Sequence, residues 1–484
     1  MENNNSDLRN EAWRVEIRNS KTPKERTAIE RVVMPMLDPK ARIHTNDEVN
    51  QGISAEAAMR EASRCLDCAN PQCVTGCPVG IDIPRFIKNI ERGNFGEAAA
   101  TLKETSSLPA VCGRVCPQEK QCESKCIHNK MKHPAVAIGY LERFAADWQR
   151  NNMPQETPAM APANGIKVAV IGSGPAGLSF AGDMAKQGFE VTVFEALHEI
   201  GGVLKYGIPE FRLPNSIVDY EIDGLRKMGV NFVKDCVIGK TLGYDDLHEM
   251  GFKGVFVASG AGFPRFMNIP GENLNGVLSS NEYLTRINLM KAGRGGDTPV
   301  LTGKTIAVVG GGNTAMDSSR TALRMGAERV MLVYRRSEEE MPARREEIEH
   351  AKEEGVELMT LHNPVEYLGN DKGRVTTMRV QRMQLGEPDA SGRRRPVPVE
   401  GDITDIPVDI VIVAVGVSPN QLVPRSIPGL DVSDRNTIVV DQDTMRSSVG
   451  DLYAGGDIVR GGATVILAMG DGRRAAAAMS KALL

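Results

Sequence analysis

One local pattern occurs twice in this chain and leaves it few folds. It is an apolar five-residue run, a glycine-rich turn, a helical stretch and a second apolar run. The first copy starts at Lys167-Val168-Ala169-Val170-Ile171, turns through Gly172 to Gly177 and ends at Glu190-Val191-Thr192-Val193-Phe194. The second starts at Thr305-Ile306-Ala307-Val308-Val309, turns through Gly310 to Ala315 and ends at Arg329-Val330-Met331-Leu332-Val333. Apolar runs bounded by glycine read as buried strands, so each copy predicts a βαβ unit. Two such units imply an α/β fold with two Rossmann-like dinucleotide-binding domains. No other repeat at solenoid period is present.

The first turn, Gly172-Ser173-Gly174-Pro175-Ala176-Gly177, matches G-x-G-x-x-G. The match alone is weak. It gains weight from the preceding strand, the following helix and Glu195 at the end of the second strand. Gly172 permits the tight turn, Gly174 lets a pyrophosphate reach the helix N-terminus, and Gly177 lets helix and strand pack. Glu195 can accept hydrogen bonds from ribose hydroxyls, which suits an adenosine without a 2′-phosphate. Further on, Asp451-Leu452-Tyr453-Ala454-Gly455-Gly456-Asp457 follows an expected strand, Thr437 to Val440. It precedes a helix starting near Ala463-Thr464. This segment resembles the second flavin motif of two-dinucleotide-domain flavoproteins, in which the aspartate meets the ribityl chain. The segments Val255-Phe256-Val257-Ala258-Ser259-Gly260 and Ile412-Val413-Ala414-Val415-Gly416 look like the domain-linking strands of the same group. The first site is therefore expected to take FAD, with Gly172, Gly174, Pro175, Ala176, Gly177, Glu195, Gly456, Asp457 and Thr464 around it.

The second turn, Gly310-Gly311-Gly312-Asn313-Thr314-Ala315, is the G-x-G-x-x-A variant. No acid follows its second strand; Tyr334-Arg335-Arg336 stands there instead. Guanidinium groups suit a 2′-phosphate, which a carboxylate would repel. NADPH is expected here, on Gly310, Gly312, Asn313, Thr314, Ala315, Arg335 and Arg336. Of the two arginines, Arg336 is expected to be the more exposed to solvent.

Eight of the nine cysteines lie between Cys65 and Cys126. They run Cys65-x2-Cys68-x4-Cys73-x3-Cys77-Pro78, then Cys112-x3-Cys116-Pro117-x4-Cys122-x3-Cys126. Such short spacings let one loop supply several thiolates to an iron–sulfur cluster, while a later cysteine reaches another. Zinc would favour paired C-x2-C knuckles, and only one is present; bare structural thiols are the remaining reading. No redox-active cysteine pair follows the first glycine turn, which disfavours a flavin disulfide reductase.

The expected domains are a helical iron–sulfur domain at 1–150, a linker at 151–165, FAD-binding parts at 166–302 and 417–484, and an NADPH-binding domain at 303–416. Ser54 is expected to start one helix and Ile83 to Glu91 to form another. Residues 386–405, with the basic run Arg393 to Arg395, read as a solvated hairpin or loop. The net charge of -4 implies no pull toward nucleic acid or an anionic membrane. The polar start Met1 to Asp7 and the short longest apolar run, Ile410 to Val417, suggest a cytoplasmic protein.

From about Ala55 to Ala478 the chain resembles the small (beta) subunit of NADPH-dependent glutamate synthase. It also resembles that subunit's relatives, the N-terminal part of dihydropyrimidine dehydrogenase and the large subunit of electron-bifurcating NADH-dependent ferredoxin:NADP oxidoreductase. The matching motifs are Cys65-Leu66-Asp67-Cys68, Leu108 to Pro117, Gly139 to Phe144, Pro209 to Pro214, and Tyr334-Arg335-Arg336 with Met341-Pro342-Ala343. The resemblance implies two 4Fe–4S clusters. One would take Cys65, Cys68, Cys73 and Cys126. The other would take Cys77, Cys116 and Cys122 with Glu142, leaving Cys112 spare. It also implies that Arg212 approaches the flavin and that Gly202 and Val203 run along it. It implies no protein acid or base in the hydride step. Electrons would leave toward a partner, either the glutamate synthase large subunit or a small flavin/iron–sulfur subunit.

Overall fold

A computed structural model of the chain describes residues 8–292, 298–390 and 392–484; Met1 to Asp7 lies outside them. Residues 8–152 form short helices that carry the cysteines. Ala55–Ala62 starts where expected, with the Ser54 side chain accepting from the Ala57 amide at 3.2 Å. Ile83–Glu91 has Asp82 as its cap and Pro84 in its first turn, where a missing N–H costs nothing. The helix Ile138–Asn152 closes the domain. The stretch after it hydrogen-bonds along the next domain, Ala161 to Lys186 and Asn164 to Gly188.

Two five-stranded parallel sheets follow. The first has the order Leu452–Ala454, Phe252–Val257, Lys167–Ile171, Glu190–Phe194, Asn231–Val233. The second has Val277–Ser279, Ile410–Val413, Thr305–Val309, Arg329–Tyr334, Glu357–Thr360. Val168, Val170, Val308 and Ile410 are fully buried, as expected for a sheet covered on both faces. Each such side chain contributes about 1.5–3 kcal/mol relative to exposure. The chain passes between the sheets through a two-stranded ribbon, Phe263–Pro264 against Val417–Ser418. The C-terminal strand returns to the first sheet, so that domain is split by the second.

Two details differ from the sequence reading. The second sheet reaches back to Val277–Ser279, earlier than residue 303, because that strand pairs with Ile410–Val413. Thr437 to Val440 is not a strand of either sheet. The sheet edge it would need is taken by Leu452–Ala454, and it pairs instead through isolated bridges, Val432 to Ile438 and Val440 to Ser447. The polar region near 386–405, expected to be a hairpin or loop, belongs to a hairpin of two long strands, Val375–Pro388 and Arg394–Pro407, beside His362–Gly369. No helix among the described residues is long and apolar enough to cross a membrane.

The helices Pro175–Lys186 and Val465–Leu483 pack together on the first sheet. A Cβ at Gly472 would stand 2.4 Å from the Ala176 carbonyl oxygen, so only glycine permits this approach.

Candidate nucleotide and iron–sulfur sites

Each glycine of the first turn meets a different constraint. Gly172 has φ +103, and a Cβ there would lie 2.5 Å from the Ala258 oxygen. A Cβ at Gly177 would lie 2.1 Å from the Gly172 oxygen. At Gly174, the N-cap of the helix, a Cβ would meet nothing within 4 Å. That opening lies where free N–H groups and the helix dipole favour an anion, which fits a pyrophosphate. The second turn repeats the arrangement. Gly310 has φ +147 with the Ala414 oxygen at 2.4 Å from an added Cβ, while Gly312 faces open space. A Cβ at Gly311, which the fingerprint leaves free, would strike the Tyr334 ring at 2.7 Å.

Both turns border one cavity of about 1080 Å³. That is slightly more than the ~300–1,000 Å³ usual for a single ligand site. Gly172, Gly174, Pro175, Ala176 and Glu195 line it from the first turn and its strand. Gly202, Val203, Arg212, Gly456, Asp457 and Thr464 line it from later segments, and Asn313 and Thr314 from the second turn. Gly177, Gly310, Gly312, Ala315, Arg335 and Arg336 stand outside its wall.

Glu195 is buried. Its Oε2 accepts from the Ser173 amide and hydroxyl at 2.9 and 2.5 Å, and its Oε1 from the Leu197 amide at 2.9 Å. The Ser173 hydroxyl in turn accepts from the Gly201 amide at 2.9 Å, which draws the Gly201–Gly202 loop over the turn. At the other end the Gly456 amide donates to Asp471 at 3.0 Å, and Arg460 and Arg474 pair with the same carboxylate. Asp457 accepts from the Ala463 amide at 2.9 Å, and burial pushes its carboxyl up. Thr464 caps Val465–Leu483. Ser173 occupies an unspecified position of the fingerprint, and Asp471 lies inside a helix without a pattern, so neither was visible as a site residue.

Arg212 joins the two nucleotide domains. Its Nη1 donates to both oxygens of Asp317 at 2.8 and 2.7 Å, and its Nε lies 3.2 Å from Glu347. Burial opposes the charge, but these carboxylates hold the guanidinium above its ordinary range. Asp317, on the helix of the second turn, also lines the cavity.

The two arginines after Tyr334 reverse the expected order of exposure. Arg335 is exposed and Arg336 is buried. Arg336 donates to Asp389 at 2.6 Å and to the Arg394 carbonyl at 2.8 Å. The hairpin folds back over this strand end, a contact between residues more than fifty positions apart that no local pattern announces.

The cysteines fall into two electrostatic neighbourhoods. Cys73 feels Cys65, Cys126 and Cys68. Cys122 feels Glu142, Cys77 and Cys116. Burial pushes the thiols up, Cys65 to about 12 and Cys77 to about 11. Such thiols stay protonated unless a cation compensates them, and ligation supplies that compensation. Glu142 is buried, its Oε1 has no hydrogen-bond partner, and burial together with the Glu221 charge pushes it up to about 8. An orphaned carboxylate oxygen among three thiols fits an iron cluster. Cys112 is also buried here, beside Cys116, with its Sγ 3.5 Å from the Met469 sulfur. Among the described residues no three such donors converge tightly enough for a single ion. Val115 and Pro117, on either side of Cys116, form part of the nucleotide cavity wall.

Residues 42–154 match the family described as dihydropyrimidine dehydrogenase domain II, 4Fe–4S cluster, and residues 166–476 match pyridine nucleotide-disulphide oxidoreductase. The glutamate synthase (NADPH) small chain of Azospirillum brasilense is 36% identical over 89% of this chain and 90% of its own length. The Escherichia coli small chain is 36% identical over 93% and 96%. The chain belongs to the glutamate synthase small-chain family. It is an oxidoreductase of the pyridine-nucleotide type preceded by an iron–sulfur domain, and FAD, NADPH and 4Fe–4S clusters are the cofactor set that the motifs and the family matches support together. The second family's disulphide has no counterpart here, since Cys236 is the lone cysteine in the matched span. The beta subunit of the NADP(+)-dependent formate dehydrogenase of Moorella thermoacetica is 39% identical over 85% of this chain, which spans 60% of that protein. Among solved structures, FprA from Mycobacterium tuberculosis in complex with NADPH shares the fold at TM-score 0.55 and 20% identity, over 66% of this chain and 85% of its own.

Proposed function

We propose that the chain is the electron-input subunit of a glutamate synthase. It would accept hydride from NADPH at a bound FAD and release electrons singly through two 4Fe–4S clusters to a larger partner subunit. One observation carries this reading: the two glycine turns open on a single cavity whose wall also includes the neighbours of Cys116. That juxtaposition gives a two-electron donor, a flavin and a one-electron acceptor contiguous places in one protein. When bound, the flavin and clusters supply the redox chemistry, including the conversion from paired to single electrons.

The chain's own residues bind, orient and exclude water. Gly174 and Gly312 leave room for phosphates at two helix N-termini. Glu195, held by the Ser173 amide and hydroxyl, would accept from ribose hydroxyls. Arg335, exposed next to the buried Arg336, would meet a 2′-phosphate. Arg212 and Asp317 set the relation between the two turns. Cys65, Cys68, Cys73 and Cys126 would hold the outer cluster, and Cys77, Cys116, Cys122 and Glu142 the one beside the flavin. No proton donor or acceptor is assigned to the hydride step.

The relatives named small chain or beta subunit support a partner subunit. Anaerobic addition of NADPH to the purified holoprotein tests the input half. Flavin absorbance should bleach first and cluster electron paramagnetic resonance (EPR) signals should follow; bleaching without cluster reduction refutes the path. Isolation of the native complex tests the output half. A large amidotransferase-bearing subunit is expected. A small flavin/iron–sulfur subunit would instead make the chain the large subunit of a ferredoxin:NADP oxidoreductase.

A further inference from the structure

We propose that Asp67, gripped by arginines of the N-terminal segment, fixes the loop between Cys65 and Cys68 and sets the reduction potential of the cluster held there. This rests on the ligand reading given above for Cys65, Cys68, Cys73 and Cys126.

Asp67 stands between two of those cysteines, is wholly buried and has φ +50, a left-handed conformation. Aspartate tolerates that region better than most residues, but it still needs external support. The support comes from a segment some fifty residues upstream. Arg9 donates through Nε and Nη2 to the Asp67 carbonyl at 3.0 and 2.9 Å. Arg14 donates through Nη2 at 2.8 Å and through Nε at 3.2 Å to the carboxylate. Arg18 donates to the other oxygen at 2.9 Å. On the opposite side the Lys88 ammonium donates to the Cys65 carbonyl at 2.6 Å.

The remaining charges are few. Glu91 pairs with Lys88 and Arg26, and Asp82 lies 3.9 Å from Arg14. Arg14 is 2% exposed and Asp67 fully enclosed, so water screens their field weakly. Hydrogen bonds, net charge and exposure around a cluster tune its potential. Asp67 is a positioning residue, because it acts through the loop and through its charge rather than by ligation.

The test is a set of redox titrations of the intact holoprotein followed by EPR. Cys65→Ser first identifies the signal of this cluster. If that variant keeps both cluster signals, the ligand reading fails and the charge proposal fails with it. With the signal identified, Asp67→Asn removes a negative charge and should raise that cluster's potential. Arg14→Gln removes a positive charge and should lower it. Each change should alter the reduced-to-oxidised ratio about tenfold at fixed poise, which is about 59 mV for one electron. The double variant should return close to the parent, and the other cluster should not move. Should Asp67→Asn fail to assemble, Arg18→Gln keeps the Arg14 pair and should lower the potential in the same sense as Arg14→Gln. Shifts of one sign in the Asp67 and Arg variants, or full iron content with no shift, would overturn the proposal.

Discussion

Alanine at Gly172 and alanine at Gly174 should fail in opposite ways, although the two glycines are one residue apart. At Gly174 the backbone is extended, with φ -68 and ψ 179, and an added Cβ meets nothing within 4 Å. The unliganded protein should therefore lose no stability, and a less flexible unfolded chain should add about 0.4–1 kcal/mol. The Cβ would instead stand in the space assigned to the pyrophosphate. Overpacking costs of about 1–3 kcal/mol then fall on the bound state alone, which weakens FAD binding roughly 5- to 150-fold. Gly172 is the reverse case. Its φ of +103 and the Ala258 oxygen at 2.5 Å place strain and clash in the folded protein itself. Strain of about 1–3 kcal/mol and overpacking of similar size should destabilise the apoprotein by roughly 2–6 kcal/mol. The assay has two arms, FAD affinity by fluorescence quenching and urea unfolding of the flavin-stripped protein. Undiminished FAD affinity in Gly174→Ala would refute the pyrophosphate placement, and normal stability in Gly172→Ala would refute the packing argument.

Other outcomes follow from the same geometry. Arg335→Ala should raise the KM for NADPH at least tenfold and leave that for NADH nearly unchanged, since a charge-assisted phosphate contact contributes about 1.5–3 kcal/mol; steady-state kinetics with equal effects on both coenzymes would remove the 2′-phosphate assignment. Cys112→Ser should keep the iron content of the parent, while Glu142→Ala should alter the EPR of one cluster; iron analysis showing cluster loss in Cys112→Ser would make Cys112 the eighth ligand. Burial works against ionising Glu347 and Glu354, yet Arg212 and Arg320 hold the first, and Arg320 and Arg324 the second, down to about 2. Carboxyls depressed from an unfolded value of about 4.3 add stability above that pH and lose it as pH falls toward 2, by up to roughly 3 kcal/mol each. Urea unfolding should therefore weaken between about pH 5 and pH 3, and a Glu354→Gln variant with an undiminished acid limb would refute this.

Residues close in sequence carried most of what was legible. The strand runs, both glycine turns, the Ser54 and Thr464 caps and the cysteine spacings are local patterns, and their chemistry follows from backbone geometry over a few residues. The split of the first domain was also legible, because Gly456-Asp457 resembles a flavin motif far from the first turn. What the chain alone could not reveal are pairings across long separations. Arg336 is expected from the sequence to be the more exposed of the two arginines, and the hairpin that buries it returns from Asp389 and Arg394. Thr437 to Val440 has strand composition, but hydrogen-bonding partners make a strand and Leu452–Ala454 takes them. Arg212 was tied to the flavin by resemblance; its bond to Asp317 appears only once two domains meet. Cys112 and Cys116 are neighbours in one buried cluster, so spacing could not rank Cys112 against Glu142. By itself, then, the sequence determined the kinds of cofactor, because a short loop is enough to shape a turn or offer thiolates. Only the tertiary structure decided how those sites share one cavity and which charges surround them, because burial and ion pairing arise when distant segments remove each other from water.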